Sequence, residues 1–146
     1  MREIATSVEI KAPPEVVWDV LTDFAGYAQW NPFIREAAGQ ARAGERLMLR
    51  MYPAGGGRPI TFRPTVRVAA KGMELRWVGR LFVPGVFDGE HRFVMAFHDG
   101  VTRVQQAETF SGLLVPFLGK TIDSTLESFR LLDEALKTRA EASSPA

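Results

Sequence analysis

His91 and Glu108 are the two side chains best placed for acid–base chemistry. His91 leads the alternating run His91, Phe93, Met95 and Phe97, whose members share one face of a strand. An imidazole on that face can give or take a proton beside a bound molecule. Glu108 falls between Gln106 and Phe110 on the inward face of a second alternating run. A carboxylate there is paired or hydrogen-bonded, or its pKa rises. It can orient a polar ligand group or act as a base. On adjacent strands the two residues form one catalytic unit, provided that the strand register lets them meet. The plainer alternatives are a hydrogen-bonded wall histidine, or one exposed at the strand start, and a glutamate that serves an arginine or the backbone of the first helix. His98 borders the Asp99-Gly100 turn and is read as solvated.

Other chemistries are poorly supplied. With no cysteine in 146 residues, disulfides, thiolate metal sites and cysteine nucleophiles drop out together. No spacing of His, Asp or Glu suggests a metal, and no cofactor is implied. Gly55-Gly56-Gly57 is not a phosphate loop, because neither a helix nor Gly-Lys-Ser/Thr follows it. A net charge of +1 gives no electrostatic case for nucleic acid or an anionic membrane. Arg46, Arg50, Arg63, Arg67, Arg76 and Arg80 read as a solvated sheet face, with Glu74 and Glu90 nearby. Asn31-Pro32-Phe33, flanked by Trp30 and Ile34, reads as packed.

The elements that must position these residues follow from periodicity. Ile4, Thr6, Val8 and Ile10 make a half-buried first strand over 2–10. Pro13-Pro14 opens a helix carrying Val17, Val20, Leu21 and Phe24 at helical spacing, and Glu15 suits its N-terminus. Asp23 is expected to cap a second short turn through Tyr27. Asn31-Pro32 restarts the chain in extended form. Strands are expected around 44–52, 60–69 (with Pro64 at an edge or bulge), Glu74–Trp77, Glu90–Phe97 and Val104–Phe110, with Asp99-Gly100 as a hairpin turn. After Ser111-Gly112 the period changes. Leu118, Ile122, Leu126, Phe129, Leu132 and Leu136 recur every three or four residues, giving one long amphipathic helix to about Arg139. Short turns between the middle strands favour an antiparallel meander.

The run Ala12-Pro13-Pro14-Glu15-Val16-Val17-Trp18-Asp19-Val20-Leu21-Thr22-Asp23-Phe24, then Tyr27 and Trp30-Asn31-Pro32-Phe33, resembles the opening of the START-like (SRPBCC) superfamily. That superfamily includes polyketide cyclase/dehydrase-like proteins and the birch-pollen-allergen type. Glu108-Thr109-Phe110-Ser111-Gly112 and the final helix carry the likeness nearly to the end of the chain. The resemblance implies an α+β helix-grip fold. In it, a curved antiparallel sheet of six to seven strands wraps a long C-terminal helix, two short helices follow the first strand, and a deep cavity lies between. It says less about activity, since carriers, receptors, cyclases and oxygenase subunits share the fold. The iron-ligand set of the oxygenases is missing here.

One domain over 1–140 and a flexible tail over 141–146 are expected. The candidate ligand-binding set is Trp30, Phe33, Leu49, Met51, Phe62, Trp77, Phe93, Gln106, Phe110, Leu114, Phe117, Leu118, Thr121 and Ile122. The favoured function is binding of a small hydrophobic molecule (lipid, isoprenoid, polyketide or aromatic metabolite) in an internal cavity. The alternatives are a cyclase/dehydrase-like enzyme using His91 or Glu108, and an interaction module with a vestigial cavity. A monomer or homodimer without nucleic acid or stable membrane insertion is expected. The N-terminus has no apolar stretch of signal-peptide type, and a cytoplasmic setting is the expectation.

Overall fold

The computed structural model describes residues 1–81 and 83–143. Strand β1 (Arg2–Ile10) leads into helix α1 (Pro14–Thr22), a 3₁₀ turn (Phe24–Gly26) and helix α2 (Tyr27–Trp30). Strands β2 (Ile34–Ala38), β3 (Met48–Met51) and β4 (Ile60–Phe62) form one three-stranded sheet. Strands β5 (Thr65–Ala70), β6 (Glu74–Leu81), β7 (Phe87–His98) and β8 (Val101–Ser111) join β1 in a second sheet, in the order β1-β8-β7-β6-β5. A short 3₁₀ turn (Val115–Phe117) precedes helix α3 (Gly119–Ser143).

Every pairing is antiparallel, as the short turns require. The two sheets touch where the chain before β3 meets β5. The N–H of Gly44 donates to the Val66 carbonyl and that of Val66 to the Glu45 carbonyl, both at 2.8 Å. Pro64 marks the break between them. Without an N–H it cannot continue a ladder, so the run expected over 60–69 divides into β4 and β5, each at a sheet edge. A register shift between Val66 and Val68 follows directly. Among the described residues the strand count is therefore eight rather than six or seven. Asp99 (φ 51°) and Gly100 (φ 78°) both lie in the left-handed region that a tight β7–β8 hairpin demands.

Pro14 opens α1 as its type suggests, but the Asp23 carboxylate makes no capping hydrogen bond. The second turn is held from Tyr27 instead, whose buried hydroxyl donates to the Leu21 carbonyl. Burial, with the Asp23 charge beside it, pushes that phenol well above its ordinary pKa. Residues 141–143, expected in a tail, continue α3. The Glu141 carboxylate accepts from the Lys11 N–H at 2.9 Å and from Lys137 at 2.7 Å. Residues 144–146 lie outside the described residues.

Phe129, Leu132, Leu136 and Ala140 are buried on α3, which packs on β1 and α1, where Val17 and Leu21 are fully enclosed. Fully burying one such side chain is worth about 1.5–3 kcal/mol. This end of the helix is solid core. Its N-terminal half spans an opening between the two sheets. No helix among the described residues is long and apolar enough to cross a membrane.

Candidate functional site

The opening is a cavity of about 120 Å³, measured as the space available to the centre of a water-sized sphere. Its apolar wall is Phe33, Ile34, Leu49, Met51, Pro53, Ile60, Phe62, Trp77, Phe87 and Phe110. Phe87 and Phe110 stack with ring centres 5.6 Å apart. A cavity near 150 Å³ with an apolar lining accommodates benzene, so this one suits a ring-sized group.

Two glycines shape the sheet wall. Gly79 of β6 and Gly89 of β7 are register partners, leaving a patch of sheet without side chains. A Cβ at Gly79 would fall on the Phe62 ring, and one at Gly89 on Glu108 Oε2. Both larger groups occupy space that the glycines vacate.

His91 and Glu108 are direct register partners on β7 and β8. His91 Nδ1 lies 3.1 Å from Glu108 Oε1, and His91 Nε2 lies 2.9 Å from Gln106 Oε1. The Gln106 amide nitrogen donates to Asp133 Oδ1 at 2.7 Å and to the Phe129 carbonyl at 3.3 Å. Thr6 donates to Asp133 Oδ2 at 2.5 Å.

These contacts assign protons. The Gln106 nitrogen spends both hydrogens on Asp133 and Phe129, so its oxygen accepts and His91 Nε2 must carry a hydrogen. One further proton then lies between Nδ1 and Glu108. The pair is either neutral imidazole with a carboxylic acid, or imidazolium with a carboxylate. Glu108 Oε2 lies over Gly89 and has no protein hydrogen-bond partner among the described residues. The Trp77, Phe93 and Phe129 rings surround the imidazole with ring centres 4.8–5.0 Å from it, and His91 is buried. Asp133 is buried behind the site. Desolvation raises its pKa from 3.8 to about 6, partly opposed by the hydrogen bonds from Thr6 and Gln106 and by nearby His91, while Glu134 adds to the rise.

The structure thus gathers Phe33, Leu49, Met51, Phe62, Trp77, His91, Glu108, Phe110 and Thr121 around one cavity. Seven expected members lie elsewhere. Phe93 and Ile122 have no exposure because they are consumed in packing between sheet and helix. Gln106 sits behind His91 and holds it. Trp30 packs edge-on against Tyr27 at 5.2 Å, outside the cavity. Leu114, Phe117 and Leu118 belong to the turn before α3, whose backbone is tied to the β6–β7 loop by Leu114 N–H to the Val86 carbonyl, 2.9 Å. That tie holds the turn beside the cavity rather than in it, and Phe117 is 80% exposed.

The residues missed are Ile34, Pro53, Ile60, Phe87, Gly89, Ser124, Thr125 and Ser128. With Thr121, the last three stand at helical positions 0, 3, 4 and 7, so they form a stripe of small hydroxyls on α3. That spacing was available in the sequence as a second stripe beside the apolar one.

A curved antiparallel arrangement closed by a C-terminal helix over a cavity places the protein in the helix-grip class. Among solved structures, a START superfamily protein from Mycobacterium smegmatis is similar, with TM-score 0.72, 24% identity, and coverage of 97% of this chain and 99% of the other. The protein TTHA0849 from Thermus thermophilus aligns with TM-score 0.77 and 20% identity over 99% of this chain and 100% of the other. The di-domain ARO/CYC BexL from the BE-7585A biosynthetic pathway aligns at 0.70 and 13% over 99% of this chain and 50% of the other. No curated protein matches significantly. The family model described as "Polyketide cyclase / dehydrase and lipid transport" matches residues 1–141, and the chain belongs to that family.

Proposed function

We propose that the protein binds a small, largely apolar molecule in the cavity between the sheets and the N-terminal half of α3. The observation that carries this reading is the ten-residue apolar wall, met by one carboxylate–imidazole pair and a stripe of hydroxyls from α3. Such a wall gains about 25 cal/mol per Å² of apolar surface removed from water, before the costs of ordering. The pair orients whatever polar group the molecule carries. Native mass spectrometry of the purified protein, with extraction of bound small molecules, tests it. A bound organic species is expected. Its consistent absence, together with no loss of any ligand response in Leu49→Trp, which fills the cavity, would exclude the reading.

A second reading, acid–base catalysis in the manner of a cyclase or dehydrase, is supported by the 3.1 Å His91–Glu108 contact at the cavity wall. Glu108 passes a proton to or from the bound molecule and His91 holds it in the other half-cycle. Glu108→Gln should then abolish turnover of a candidate substrate while leaving its binding within about threefold. Unchanged turnover would remove the residue from that role.

A further inference from the structure

The polar part of the cavity limits what its ligand can be. No lysine or arginine is among the described residues that line it. Among those residues the only titratable side chains, Glu108 and His91, already pair with each other. The α3 stripe supplies the rest. Ser124 Oγ and Thr125 Oγ1 give their protons to the Thr121 carbonyl at 2.9 and 2.8 Å, so lone pairs are what they hold toward a ligand. Glu108 Oε2, unpartnered among the described residues, offers more lone pairs. The Ser128 hydroxyl accepts from the Ala54 N–H at 3.1 Å, which leaves its hydrogen as a neutral donor able to serve a ligand oxygen but not to balance a full negative charge.

Resting on the binding function proposed above, we infer that the cavity selects a neutral or cationic ring compound bearing hydroxyl or amine hydrogens, of the phenol class, and rejects carboxylates and phosphates. A phenolic O–H finds acceptors on the helix stripe and at Glu108. A carboxylate of the same shape meets the lone pairs of Ser124, Thr125 and Glu108 Oε2, and no lysine or arginine among the described lining residues compensates its charge.

Four probes of one shape separate the possibilities: naphthalene, naphthol, methoxynaphthalene and naphthoate, titrated by calorimetry into the intact protein at neutral pH. Naphthol should bind about tenfold more tightly than methoxynaphthalene, which accepts but cannot donate, and than naphthoate. Glu108→Gln should narrow the gap between naphthol and naphthoate at least about threefold, because the amide can offer hydrogens where the carboxyl offered lone pairs. Equal affinity for all four, or a preference for naphthoate, overturns the inference while leaving a binding cavity in place. If none of the four binds, and single-ring benzene and phenol fail as well, the cavity reading itself falls.

Discussion

Asp133→Asn should stabilise the protein at alkaline pH and do little at acid pH. Asp133 is 3% exposed and lies behind His91, touching Thr6 and Gln106. Desolvation raises its folded-state pKa to about 6 from 3.8, so the folded protein holds a proton that the unfolded chain has released. The stabilisation from this group is therefore fully present below pH 3.8 and is lost as pH rises through about 6. At about 1.36 kcal/mol per pH unit, ionising Asp133 costs the fold about 3 kcal/mol. Asparagine keeps the shape and accepts from Gln106, while Thr6 turns its hydroxyl to accept from the new amide. Urea denaturation of both proteins at about pH 4.5 and about pH 8 measures the difference. The variant should gain up to about 3 kcal/mol at the higher pH and less than about 1 at the lower. Glu3, held below its ordinary value by hydrogen bonding to Arg92, and Glu141, by the Lys11 N–H, act with the opposite sign. They cancel when variant and parent are compared at one pH. An equal effect at both pH values, or a loss at pH 8 exceeding that at pH 4.5, would refute the reasoning.

Gly79→Ala should cost about 1–3 kcal/mol and weaken ligand binding, since the Phe62 ring is stiff and must leave the space above β6. Denaturation and naphthol titration read both effects. Gly89→Ala meets only the flexible end of Glu108, so stability should stay within about 1 kcal/mol. The Glu108–His91 contact should open, visible as a change in the imidazole nitrogen shifts by NMR. Phe129→Ala removes a ring with no exposure that touches both Phe33 and His91, and should cost about 3–5 kcal/mol in the same denaturation assay.

Much of the fold was legible because each element carries its own period. The alternation of Ile4, Val8 and Ile10, and the three-to-four spacing from Ile122 to Leu136, match their buried faces. Pro64 announced a disturbance, but whether a proline bends a strand or divides it between sheets depends on contacts distant in sequence, here with residues 44–47. The site was legible by halves. Inward-facing identity can be read from period two, so Trp77, His91, Glu108 and Phe110 were assigned to the face that borders the cavity. Whether an inward side chain meets empty space or α3 cannot. Phe93 and Phe110 obey the same pattern, yet one lies under the helix and the other beside the cavity. Gln106 and Asp133 show the same limit. Their partnership joins a strand to a helix across 27 positions of sequence, and only the packed structure supplies that register.

Helix α3 changes character at Phe129. Beyond it, Leu132, Leu136 and Ala140 face β1 and α1. Before it, Thr121, Ser124, Thr125 and Ser128 face the cavity. One helix thus carries two kinds of heritable variation. Substitutions in its C-terminal half alter how much protein survives in a cell. On the proposed binding function, substitutions at Thr121, Ser124 and Thr125 change which molecule is held, while Ser128 also anchors the Ala54 backbone. On that function, a lineage changes its ligand by drifting three small residues on one face, away from the part of the helix that packs on β1 and α1.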